Sequence, residues 1–246
     1  MFKDIMNISF PSTILQVYLI CLPIIVSGYY LLEKILETVS KSFRNTEVRY
    51  VRRYIIKNLI KSFVLAYISY HIIKNCHLCN IYLDVWDHPN MYSFTALYGL
   101  TDVLGLVMVP GLPRSTVMHH MSVALFSIIN LMVDYQKPTM FRYVIAYGMF
   151  SNLAFVVNFY LGFRKMYHDS VLTTVSCVVG YYTYVAISIV NMFTQLYLVG
   201  NHLVTNTISI TNWDVMLYLV TIPLIINDDI VLMRHLRRES AFKYPD

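Results

Sequence analysis

Long apolar runs broken by short polar ones set the pattern of this chain. Residues 13–32 and 171–194 carry no charged side chain, and 142–162 are uncharged after Arg142. Residues 91–110 hold a single acid, Asp102, and 116–133 hold His119 and His120. Residues 214–233 carry Asp228 and Asp229 near their end, and 55–74 take Lys57 and Lys61 into their first turns. A helix needs about 20 mostly apolar residues to cross a bilayer core. The pattern therefore predicts an all-α fold, a polytopic membrane helix bundle of seven transmembrane helices. Lys57 and Lys61 are expected to snorkel toward the headgroups at the inner end of the second span.

Composition agrees. Of 246 residues 57% are hydrophobic and 13% charged, half the charge density of a water-soluble domain at about a quarter. Mean hydropathy is +0.54. Disorder is excluded, because it requires low hydrophobicity, and a soluble globule is disfavoured. Four cysteines are too few for a disulfide scaffold. The aromatic content is 15%, and Tyr29, Tyr30, Tyr54, Tyr92, Tyr135 and Tyr143 fall at span ends, as an interfacial belt requires.

The net charge of +5 matters less than its distribution. With the N-terminus outside, most lysines and arginines fall in the inner segments 33–54, 111–115, 163–170 and 234–246. Only Lys3, Lys74, Lys137 and Arg142 lie on the outer side. That bias supports an odd number of spans, an outer or lumenal N-terminus and a cytoplasmic C-terminus. The first run lacks a small-residue cleavage site and reads as a retained anchor. Asn7-Ile8-Ser9 is a glycosylation sequon on the outer side, close to the membrane. One domain is expected: residues 1–44 as anchor helix and basic linker, 45–238 as the transmembrane domain, 239–246 as a tail. Segment 33–53 reads either as a helix along an anionic leaflet or as a solvated connection. Pro110, Gly111 and Pro113 shorten the third connection, so its two helices must be antiparallel neighbours.

Ionisable groups in lipid are costly and mark functional positions. At about 1.5 Å of rise per residue, His119, His120, Asn158, Asp228 and Asp229 share one layer about a turn deep on the inner side. Asp102 and Asn152 lie a turn or two deeper, and no equivalent layer is expected in the outer half. Adjacent histidines are about 100° apart on a helix, so only one can point squarely inward. A buried imidazole can act as general base when a carboxylate holds its second nitrogen, and Asp102 is a candidate holder. The alternative is that these groups only hydrogen-bond helices together. His119, His120 and Asp102 are thus the candidate catalytic set, and Asn152, Asn158, Asp228 and Asp229 the candidate substrate-binding set. A di-iron oxygenase would need several His-rich clusters, and a retinal protein a lysine in the last span; neither is present. No metal is expected at these residues. Cys76 and Cys79 form a CxxC flanked by His71, His77 and His88, which leaves open no special role, a disulfide, or a metal.

Tyr98-Gly-Leu-Thr-Asp102, the short loop, and Thr116-Val-Met-His-His-Met-Ser-Val-Ala124 resemble the TLC family, which includes ceramide synthases, translocating-chain-associated proteins and TLC-domain lipid regulators. Phe150-Ser-Asn-Leu-Ala-Phe-Val-Val-Asn158 with Phe163-Arg164 is similar to the regulator branch. The resemblance covers roughly residues 45–238. It implies a six-helix core plus one helix, in the endoplasmic reticulum or another endomembrane, with a cavity for membrane lipids or fatty-acyl chains. Ceramide synthases carry a second motif with two acids; here Ser151, Asn152, Leu153, Ala154 and Phe155 occupy that region. The expected function is lipid sensing, transport or metabolism. A His-dependent acyl transfer is one form of it, with acyl-CoA as co-substrate, no resident cofactor and no nucleic-acid partner. The competing reading is a seven-span transporter or receptor for a small solute.

Overall fold

A computed structural model describes residues 14–86, 88–130, 133, 135, 137, 139–205 and 213–243, and every regular element among them is helical. The order is α1 (Ile14–Val39), α2 (Lys41–Arg44), α3 (Arg49–Lys74), α4 (His77–Tyr82), α5 (His88–Met108), α6 (Arg114–Ile129), α7 (Phe141–Asn152), α8 (Phe155–Phe163), α9 (Val171–Thr205) and α10 (Trp213–Lys243). The sequon at Asn7 and Ser9 lies outside the described residues.

Among the described residues three helices are long and apolar enough to cross a membrane: Gln16–Val39, Val171–His202 and Trp213–Ala241. A fourth crossing follows if α7 and α8, bent by 52° at a short break, count as one. The expected uninterrupted fifth span is therefore two helices. Leu153 and Ala154 form a turn between them, and Ser62 Oγ and Ser69 Oγ of α3 hydrogen-bond the carbonyls of Phe155 and Asn152 beside it, at 3.0 and 2.8 Å. These serines occupy backbone acceptors that an unbroken helix would use itself. Helix α3 is 26 residues long, but its basic residues lower its hydropathy. Helix α6, with 16 residues, spans about 24 Å at the α-helical rise, less than a typical hydrocarbon core.

Helix α3 is the centre of the bundle, packed by α1, α5, α7 and α8. Its tightest neighbour is α8, where Gly162 sits so close that a Cβ would come 3.0 Å from the Ile55 carbonyl oxygen and 3.2 Å from Leu59 Cγ. Buried Ile68, Ile72, Phe94, Leu97, Phe126, Tyr135, Phe141 and Met149 form the main apolar core. Large apolar side chains also cover the outside: Leu19, Ile24, Phe63, Val107 and Phe193 are each more than 60% exposed. In water such faces would be unfavourable by about 25 cal/mol per Å²; against lipid they are not.

The basic linker is shorter than a surface helix would be. Helix α1 runs past the apolar stretch to Val39, and a corner follows in which Ser40 Oγ accepts the Phe43 amide at 3.1 Å and caps α2. Arg52 ties that corner, donating from Nε to the Thr46 carbonyl at 2.7 Å and pairing with Glu37 at 3.1 Å. The α5–α6 connection turns at Gly111, whose φ of +76° suits a residue without Cβ. Its brevity holds α5 and α6 side by side, as expected.

A polar ladder also exists in the half of the bundle remote from the histidines, which corrects the expectation of a single layer. Asn191 and Gln195, one turn apart on α9 and both buried, donate to the Tyr147 and Tyr143 carbonyls of α7 at 3.3 and 3.1 Å. Tyr218 Oη donates to Gln195 Oε1 at 2.7 Å. These uncharged side chains are hard to read in an apolar run because their partners are backbone groups of a distant helix.

Candidate functional site

The α5–α6 hairpin brings Asp102, His119 and His120 together. Asp102 is fully buried and both histidines nearly so. His120 Nδ1 lies 3.0 Å from Asp102 Oδ1. His119 faces the other way, with Nδ1 3.6 Å from Asp228 Oδ2 on α10, and the two rings meet edge to face at a centroid distance of 5.5 Å. Both imidazoles thus enter the interior. The expectation that only one could do so is corrected by packing: α6 is wedged between α5 and α10, so two adjacent sectors of it are interior.

The two lysines of α3 do not snorkel. Lys57 and Lys61 are 8% and 5% exposed, and both ammonium groups point into the site. Lys61 forms a buried ion pair with Asp102 and lies over the Tyr98 ring, 5.0 Å from its centroid. Lys57 Nζ lies 3.2 Å from His120 Nε2. The departure has a geometric cause. Helix α3 packs against four other helices and carries these lysines on its inner face, opposite exposed Phe63, and a carboxylate one helix away offers the compensation a buried ammonium requires.

Asp228 and Asp229 close the site from α10. Thr116 Oγ1 donates to Asp228 Oδ1 at 3.3 Å. Tyr184 donates to Asp229 Oδ1 at 2.6 Å, and Tyr147 hydrogen-bonds the other oxygen. Asn158 lines the same chamber. Asn152 lies apart: its Nδ2 donates to the Gly148 carbonyl at 2.6 Å and its Oδ1 is buried without a hydrogen-bond partner, against a different cavity. The sequence reading missed Lys57, Lys61, Tyr98, Tyr147 and Tyr184. The lysines left a legible trace, two bases one turn apart at the depth of Asp102; nothing distinguishes the tyrosines among 21.

Two cavities meet here. A polar chamber of about 320 Å³ is lined by Lys57, Lys61, His119, His120, Asn158, Arg164, Asp228, Asp229 and His235. Beside it lies a narrow apolar slot of about 50 Å³, lined by Phe94, Val123, Phe126, Val144, Ile145, Met149 and Ile225. Tyr98, His119 and Ser151 border both. Asp102 Oδ2 and His119 Nδ1 are buried beside these cavities without a hydrogen-bond partner, and His120 Nδ1 meets Asp102 Oδ1 at ion-pair distance, 3.0 Å, without hydrogen-bond geometry. Groups left in this state are normally completed by water or ligand.

Asp102, His119 and His120 each offer an atom within 4.8 Å of the others, close enough to hold a metal ion. Two of those positions are contested, since Lys61 sits on the Asp102 carboxylate and Lys57 on the His120 imidazole. Two ammonium groups repel a divalent cation, whereas the same set can hold and pass a proton. The CxxC cysteines are both free and exposed, and Cys76 adopts a left-handed backbone, φ 50°.

Comparison with protein-family models, with curated proteins and with solved structures finds no match to this chain.

Proposed function

We propose that this chain is a TLC-like membrane protein that binds a lipid or fatty-acyl chain, with the alkyl tail in the apolar slot and the polar head in the chamber at His119, His120 and Asp102. The observation that carries this reading is the junction itself. An apolar slot and a chamber rich in ionisable groups share Tyr98, His119 and Ser151 as a common wall, an adjacency that suits an amphiphile in polarity. The exposed apolar side chains on the outer faces supply the bilayer route by which such a ligand arrives.

In the proposed topology α3, α5 and α6 join the longer helices and the bent α7–α8 pair as seven crossings. The N-terminus is lumenal and the C-terminus cytoplasmic, in an endomembrane. The α3, α5 and α6 crossings turn Lys57, Lys61, Asp102 and the histidine pair inward and expose apolar side chains such as Phe63, Val107 and Ile128. Where the bound group is an activated acyl chain such as acyl-CoA, His120 removes a proton from an attacking amine or hydroxyl, Asp102 holds the imidazole, and His119 with Asp228 borders the reacting carbonyl. Lipid extraction and mass spectrometry of the protein purified in mild detergent test the reading. A co-purifying acyl species, lost in His119→Ala/His120→Ala protein that is still folded, is expected. Protein equally free of acyl species in both forms would refute it.

A second reading, transport of a small solute, is favoured by one observation. The break between α7 and α8 lies beside the site, and transporters place substrate at such breaks. They pair them between two halves, and a second break of this kind is not found among the described residues.

A further inference from the structure

Lys57 is an ionisable group at this site that the proposed reading leaves unused. It is buried on α3, it lines the polar chamber, and it makes no ion pair with a carboxylate among the described residues. Lys61, one turn away, takes Asp102. The nearest polar partner of Lys57 is an imidazole nitrogen, His120 Nε2 at 3.2 Å, whose other ring nitrogen is 3.0 Å from Asp102 Oδ1. This is an amine, a base and a carboxylate in line, the arrangement by which a nucleophile is activated and its base oriented.

The backbone is shaped to permit it. The Lys57 side chain crosses α5 at Gly105, where a Cβ would come 2.8 Å from Lys57 Cε and 3.8 Å from His120 Nε2. Any larger residue would push the amine off the imidazole. A lysine that served only as counter-charge to Asp102 would need neither this passage nor this nitrogen, since Lys61 already fills that role.

We propose that Lys57 is a nucleophile toward a carbonyl carbon, and that its substrate class is a long-chain aldehyde whose tail occupies the apolar slot. This rests on the lipid-binding reading and names the head group within it. The Lys57 ammonium first passes a proton to His120 Nε2, 3.2 Å away; the free amine then attacks the carbonyl carbon, a C–N bond forms, and the C=O pair moves to oxygen. His120 carries the two amine protons in turn from nitrogen to that oxygen, which leaves as water. The product is an imine between Lys57 and the chain, so one aldehyde and one amine give one imine and one water, with no change of oxidation state. Asp102 acts as a positioning residue through His120. An aldehyde, unlike an ester or thioester, has no leaving group, so the adduct is reversible and the site is not consumed.

The test incubates the purified full chain with hexadecanal and cyanoborohydride, which reduces an imine to a stable amine, and maps the adduct by peptide mass spectrometry. The proposal expects a mass gain equal to the aldehyde less one oxygen, on Lys57 in preference to exposed Lys34 and Lys41 and to the paired Lys61. Propanal, which lacks the tail, should label Lys57 at least about tenfold more slowly, and so should hexadecanal acting on His120→Gln or Gly105→Ala protein. Asp102→Asn should slow labelling without changing its position. Mapping on the wild type needs no variant to fold. Labelling spread evenly over exposed lysines, none on Lys57, or protein purified with Lys57 already carrying an amide-linked acyl group would each overturn the proposal. Hexadecanol binding, followed by native mass spectrometry, separates the two readings: if it binds and Lys57 stays unlabelled, the imine fails and lipid binding stands; if it does not bind, lipid binding itself fails.

Discussion

His120 Nδ1 and Asp102 Oδ1 stand 3.0 Å apart across the α5–α6 hairpin, and the same carboxylate oxygen takes the Lys61 ammonium from α3. One acid therefore joins three helices. Its charge compensates two basic groups at a fully buried position. Breaking such a buried set on one side strands the other charges, whereas removing an ion pair whole is nearly neutral.

Asp102→Asn should accordingly destabilise the detergent-solubilised protein by about 3–5 kcal/mol, read as a lower thermal unfolding midpoint. Lys61→Met added to Asp102→Asn should recover a large part of that loss. If the double variant is as unstable as the sum of both singles, the two residues are not coupled and the ion pair does not carry the site.

Tyr147 and Tyr184 donate to the two oxygens of Asp229. Removing either hydroxyl, as Tyr147→Phe or Tyr184→Phe, leaves a half-buried carboxylate short of a donor and should cost about 1 kcal/mol. In an Asp229→Leu background the same changes should cost almost nothing, because no carboxylate remains to be satisfied. Equal costs in both backgrounds would mean the tyrosines act by packing alone.

Gly148 borders the apolar slot, and a Cβ there would meet nothing within 4 Å. Gly148→Phe should therefore fold normally and fill the slot. Displacement of a fluorescent fatty acid should show affinity falling by about tenfold or more, a change of at least about 1.4 kcal/mol. Unchanged affinity in a folded variant places the alkyl chain elsewhere.

Cys76 and Cys79 are exposed at the α3–α4 corner, whereas Cys177 is buried and Cys21 half-buried. In sealed microsomes the proposed topology predicts that a membrane-impermeant maleimide reaches Cys76 and Cys79 only after the vesicles are opened, while a C-terminal tag is accessible throughout. Immediate labelling of both cysteines would reverse the orientation.

The site was partly legible in the chain because charge is rare in it. Asp102, His119, His120, Asp228 and Asp229 stand out against apolar neighbours, and depth counting placed them near one another. Lys57 and Lys61 were visible too, but a lysine near a span end has two destinations, the headgroups or a buried acid, and only the central position of α3 decides between them. The tyrosines around Asp229 and the Asn191–Gln195 ladder left no trace, because neutral polar residues in an apolar helix are common and their partners are set by tertiary packing. The break at Leu153 and Ala154 was equally hidden: neither residue is a helix breaker, and the serines that support the turn come from α3. The helical class and the apolar runs depend on local pattern and were readable. Of the seven expected crossings, three helices, or four with the bent pair, meet length and apolarity unaided.

Photo-crosslinking with a fatty acid carrying a diazirine in mid-chain tests the central claim most directly. With the protein in lipid nanodiscs, the adducts should map to slot residues such as Val123, Phe126, Val144 and Ile145, and Gly148→Phe should abolish them. Adducts confined to outward-facing side chains such as Val179, Tyr182 and Phe193 would contradict it: the alkyl chain would then be solvent for this protein, not its ligand.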